Sequence, residues 1–162
     1  MKKQEKTIGL IMAVIMSVAM GILASIVIYN DPKTQTPPLP IFCLINIVES
    51  VIVGVIVAIF VPLGKLGMAL AKKAKAAPPS LKFNLINSIP LAVGNSVIVS
   101  AVVSFIGVAT AYAKIPADQA PPLLAMWFSS WGPLLIPSIV ISYLLAILVA
   151  PIVVKAVRKN RN

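Results

Sequence analysis

Four long apolar stretches constrain the fold of this chain more than any other feature. They cover residues 8–29, 41–62, 83–112 and 123–154. Each exceeds the ~20 residues that a helix needs to cross a ~30 Å hydrocarbon core. Hydrophobic residues make up 59% of the chain and charged residues only 11%, whereas about a quarter of a soluble domain is charged. The sequence therefore predicts an all-α integral membrane protein with four transmembrane helices.

The basic residues predict how these helices are oriented. Three precede the first stretch, five lie between the second and third, and four follow the last, whereas only Lys33 and Lys114 lie in the other two connections. The positive-inside rule places the basic connections in the cytoplasm, so both termini are predicted to be cytoplasmic in a bacterial inner membrane. Because the basic residues lie at the ends of the predicted helices, we expect the protein to interact with the lipid bilayer and not with nucleic acid. The first stretch is too long for a typical signal-peptide core and is predicted to be a retained helix.

Small residues recur at every fourth position in the first and third stretches, which in a helix makes one narrow face. In lipid such a face lets another helix backbone come close. A shift of 75 positions, from Ala13 to Ser88, superposes the two stripes. The chain is therefore predicted to be two tandem hairpins, residues 1–76 and 77–162, with one shared orientation, whose stripes meet at the centre of one four-helix domain. The stripes consist of Ala13, Ser17, Gly21 and Ser25, and of Ser88, Ala92, Ser96 and Ser100.

The connection between the two halves is the basic segment 64–82. Its first part, through Lys73, is predicted to continue the second helix beyond the membrane. The Ala77-Pro78-Pro79-Ser80 sequence then ends that helix, because proline disfavours helical backbone at the residue before it.

The second half of the chain contains a set of motifs that can be compared with those of known membrane proteins. Its fourth stretch contains Trp127-Phe128-Ser129-Ser130-Trp131, Ile136-Pro137 and Val149-Ala150-Pro151, followed by Lys155 and Arg158. This pattern resembles the small bacterial membrane-protein family catalogued as domain of unknown function 2798, whose members are short two-helix hairpins. The resemblance implies a hairpin fold, in two tandem copies by way of the repeat, and it implies no activity. Apart from the resemblance, amphipathic rings favour the headgroup depth, so Trp127 and Trp131 are predicted to be interfacial anchors.

Glu49 is the only acidic residue within the four apolar stretches of the sequence. An ionisable group inside the hydrocarbon core costs at least ~2–3 kcal/mol unless it is paired, wetted or protonated, which marks it as a candidate functional site. Asn46 lies three residues earlier on the same helix face, and Asn95 lies at a comparable depth in the third stretch. We therefore predict a proton or cation site at Glu49, Asn46 and Asn95, facing the interior. A purely structural hydrogen bond, or a contact with a partner membrane protein, remains the alternative.

Enzyme signatures are missing from the sequence. It has no His, a single Cys43 and no second intramembrane carboxylate, so we predict no catalytic residues, no metal site and no cofactor. The leading expectation is a small transporter or channel that acts as a homo-oligomer. The alternative is a non-transporting accessory or assembly module that binds partner helices through the small-residue stripes, and a holin-like pore former comes third.

Overall fold

The computed structural model describes residues 2–30, 37–78, 80–116 and 119–159. These residues form five helices and no strand: α1 (Lys2–Tyr29), α2 (Leu39–Phe60), α3 (Leu63–Lys73), α4 (Leu81–Tyr112) and α5 (Leu123–Lys159). All except α3 are long and apolar enough to cross a membrane. The prediction of an all-α protein with four candidate membrane spans is confirmed, and its apolar helices indicate a lipid bilayer environment.

The four long helices form a bundle in which each packs on two neighbours. Contacts are most extensive between α1 and α2 and between α4 and α5, and α1 with α5 and α2 with α4 complete the ring. Consequently α1 lies diagonally across from α4, and α2 diagonally across from α5. A two-fold axis along the bundle would relate the α1–α2 contact to the α4–α5 contact, and the α1–α5 contact to the α2–α4 contact. The internal duplication of the sequence itself stays a prediction.

The helix after α2 differs from the expected continuation. Pro62 has no N–H to donate to the carbonyl four residues earlier, and Val61 is extended with φ −104° and ψ 114°, so α2 ends at Phe60. A separate helix, α3, then packs on α4 through Leu63, Gly67 and Ala71. The sequence prediction of one continuous helix was wrong, because a single proline after Val61 interrupts it.

Exposed lysines from several helices lie at one end of the bundle. Met12, Met16, Ala92, Ala146 and Val153 belong to one buried cluster, so these parts of α1, α4 and α5 pack together. Lys6 and Lys82 precede this cluster in α1 and α4, and Lys155 follows it in α5, each within ten residues of a member of the cluster. The antiparallel packing thus collects basic side chains at the end that the positive-inside rule assigns to the cytoplasm.

The topology can be tested with reporters. We expect fusions after Asn162 and within the connection after Lys73 to be active only when the reporter works in the cytoplasm. The measurement is a paired phosphatase and fluorescent-protein assay in bacterial cells. An external signal from the connection after Lys73 would contradict both the orientation and the number of membrane crossings.

Candidate functional site

Glu49 occupies the middle of α2. The helix has 22 residues, or ~33 Å, close to the ~30 Å of a hydrocarbon core. Glu49 lies ten residues after Leu39 and eleven before Phe60, so it is ~15 Å from either end. If α2 spans the bilayer, its carboxyl group lies near the midplane, where an unpaired ionisable group is most costly.

The side chain of Glu49 lies on the flank of α2. The buried face of this helix contains Asn46, Ser50, Gly54 and Val57. Glu49 is rotated by about 100° from Ser50 and is only partly buried, and it is three residues from the exposed Ile52. Among the described residues no hydrogen bond or ion pair reaches Glu49. The predicted inward orientation therefore holds for Asn46, whereas Glu49 borders the outer surface of the bundle.

The structure does not join Glu49 to the two asparagines predicted with it. Asn46 is buried, and its Nδ2 donates to the carbonyl of Phe42 in its own helix at 2.9 Å. Asn95 is also buried, and its Nδ2 has no acceptor among the described residues. A hydrogen bond between Glu49 and Asn95, which the structural alternative invoked, is not formed. The candidate site within one chain is thus Glu49 alone.

The first stripe packs on α2. A Cβ atom added at Gly21 would lie 2.6 Å from Cα of Ile47 and 2.8 Å from the carbonyl oxygen of Asn46. One at Gly54 would overlap the hydroxyl of Ser17. Both glycines therefore bring the backbones of α1 and α2 close together, as small residues do in membranes.

The second stripe packs on α5 and forms hydrogen bonds across that contact. The hydroxyl of Ser96 donates to the carbonyl of Ser138 at 3.1 Å. The Trp131 indole donates to Oγ of Ser100 at 2.9 Å, and the Trp127 indole donates to Oγ of Ser104 at 3.0 Å. Each stripe thus contacts the other helix of its own hairpin, and α1 and α4, which lie diagonally, make fewer contacts with each other than with their neighbours. Direct contact between the two stripes stays a prediction.

Trp127 and Trp131 are partly buried and are hydrogen-bonded to α4. Their rings stack with centroids 5.4 Å apart and an interplanar angle of 9°, and both indole N–H groups are bound to α4. Trp127 also donates to the carbonyl of Ala101 at 3.1 Å. An interfacial anchor would direct its N–H to water or headgroups. The two rings instead close the α4–α5 hairpin, and their depth relative to headgroups stays a prediction.

A double-mutant cycle tests this role. We expect Trp131→Phe and Ser100→Ala each to lower stability, by ~0.6 kcal/mol on average for a hydrogen bond in a membrane bundle and ~1.7 kcal/mol at most. Because both remove the same bond, the double variant should lose less than the sum of the two. The free energy of unfolding is measured in detergent for the purified wild type, the two single variants and the double variant. Additive losses of stability would contradict the hydrogen bond.

A small space lies between the four long helices. It has a volume of about 10 Å³ and is lined by all four long helices, with mainly apolar side chains and the serines Ser50, Ser100, Ser104 and Ser138. This is close to the least volume that can hold one water molecule. The space is therefore too small to serve as an aqueous passage between the four helices.

The sequence interpretation missed two further sets of small residues. Asn46, Ser50 and Gly54 repeat every four residues in α2, and Ser138, Ser142 and Ala146 do the same in α5. All are buried. The every-fourth-residue signal that identified the stripes in α1 and α4 would also have found their partners.

Comparisons with family models, with characterised proteins and with solved structures found no significant match to this chain. The resemblance to domain of unknown function 2798 therefore stays a prediction from the motifs that carry it.

Proposed function

We propose that this protein is a small oligomeric transporter or channel of the bacterial inner membrane, with Glu49 as its proton or cation site. The observation that supports the proposal is the position of Glu49, in the middle of a membrane-length helix, partly exposed and without a partner in the described chain. A carboxyl group kept at this depth despite its cost is the usual mark of an ion or proton pathway.

The pathway runs beside the bundle rather than through it. The internal space is about 10 Å³ and mainly apolar in its lining, and Glu49 borders the outside of the bundle. Ions or protons would therefore reach Glu49 along a seam between copies of the chain. This geometry supports a homo-oligomer, because a single chain leaves the carboxyl group against lipid.

The accessory-module alternative depended on stripes that are free to bind partner helices. Both stripes are buried inside the bundle: Ser17, Ser25, Ala92 and Ser96 are almost fully enclosed. A partner could reach them only by separating α1 from α2 or α4 from α5. The packing thus favours transport over that alternative.

Reconstitution tests the proposal. Purified protein in liposomes with an imposed pH gradient or cation gradient should accelerate dissipation of that gradient above the rate in empty liposomes. Size measurement in detergent, corrected for bound detergent, should give more than one copy. A monomer that transports neither protons nor monovalent cations would refute the proposed function.

A further inference from the structure

The internal packing fixes the depth of Glu49 relative to α5. Ser50, the next residue after Glu49, lines the same internal space as Leu134 and Ser138 of α5. Glu49 therefore lies at about the depth of residues 134–138. Both α2 and α5 begin at the end of the bundle opposite the lysines, so they run in the same direction.

At this depth α5 contains two prolines, one of which removes a backbone hydrogen bond of the helix. Pro133 and Pro137 lie inside the helix, and Pro137 has no N–H to donate to the carbonyl of Pro133. The surrounding surface is open, because Ile136 is 72% exposed and a Cβ added at Gly132 would meet nothing within 4 Å. In lipid a carbonyl without a donor is energetically unfavourable.

The geometry points to a second copy of this chain as the partner of Glu49. We propose that the neutral Glu49 carboxyl group of one copy donates a hydrogen bond to the Pro133 carbonyl of the next. This inference rests on the oligomer in the proposed function and names its contact surfaces. Two copies in one membrane share the same depth, so a carboxyl donor and a carbonyl that lacks its helical donor would lie at about the same level.

The diagonal arrangement makes this contact repeatable. The α2 surface and the α5 surface lie on opposite sides of the bundle, since α2 packs on α1 and α4 while α5 packs on α4 and α1. Each copy can therefore give its Glu49 surface to one neighbour and its Pro133 surface to another. Such a head-to-tail contact closes into a ring when the rotation between copies permits.

Disulfide cross-linking in native membranes tests the contact. Ile52 lies three residues beyond Glu49 on α2 and Ile136 three residues beyond Pro133 on α5, and both are exposed. In a Cys43→Ser background, differently tagged chains carrying Ile52→Cys and Ile136→Cys are co-expressed and oxidised. We expect a heterodimer that carries both tags.

Ile59→Cys is the matched control. Ile59 is exposed on nearly the same face of α2 but seven residues farther along, a displacement of ~10 Å. Paired with Ile136→Cys, it should give little heterodimer. Adding Glu49→Leu to the Ile52→Cys chain should reduce the heterodimer about threefold or more, whereas Glu49→Gln, which still donates a hydrogen bond, should preserve it.

The possible results distinguish failure of the proposed contact between chains from failure of the proposed transport function. Absence of the heterodimer, equal yields from Ile52→Cys and Ile59→Cys, or predominant homodimers of Ile52→Cys alone would overturn the proposed contact. A specific heterodimer without any ion flux would leave the contact standing and refute the transport function. Flux without the heterodimer would refute only the contact.

Discussion

Gly21→Ala is expected to destabilise the protein by ~1–3 kcal/mol, and Gly21→Leu to prevent stable packing of α1 on α2. The added Cβ would lie 2.6 Å from Cα of Ile47 and 2.8 Å from the carbonyl oxygen of Asn46. Both obstacles are backbone atoms, so the two helices must separate and lose contacts along their whole length. Thermal unfolding of the purified protein in detergent measures the effect.

Gly9→Ala is the control in the same helix. A Cβ atom there would meet nothing within 4 Å, so the substitution should be neutral, or slightly stabilising because Ala favours helix over Gly. Gly54→Ala should fall between the two, because its obstacle is the Ser17 hydroxyl, a side chain that can rotate. Equal melting temperatures for Gly9→Ala and Gly21→Ala would contradict the close approach of α1 and α2.

The number and length of the membrane-spanning helices could be predicted from the sequence. Apolar length alone decides whether a segment can cross a bilayer, and it is a local property. The break after Phe60 was missed because Pro62 lies where apolar sequence gives way to basic sequence, a place at which a helix can either stop or continue. The structure resolves this through α3, which packs on α4 through Leu63 and Gly67.

The partners of the stripes could not be read from one helix at a time. A row of small residues shows that some backbone comes close, and it does not say which one. Gly21 meets Ile47 and Ser100 meets Trp131, so each of these two stripe residues contacts the other helix of its own hairpin. Depth was easier to predict than direction: Glu49 lies well inside its helix, as expected, but its rotation about α2 depends on which neighbours α2 packs against.

Glu49→Gln is expected to reduce ion flux in liposomes to the level of empty liposomes. Gln has nearly the same shape and still donates and accepts hydrogen bonds, but it cannot release or bind a proton. The amount of folded protein and the size of the oligomer should stay unchanged, so the loss would be one of ion transfer rather than of assembly. The assay is the same gradient dissipation that tests the wild-type protein.

Asn46→Ala and Glu49→Leu complete this test. Asn46 is hydrogen-bonded to Phe42 within α2, so its removal should lower stability slightly and leave the flux intact. Glu49→Leu removes both ionisation and hydrogen bonding, and should abolish flux while also weakening the oligomer. If Glu49→Gln transports as well as the wild type, ionisation of Glu49 is not part of the mechanism. If flux survives while Glu49→Leu weakens assembly, the carboxyl group serves the contact between chains alone.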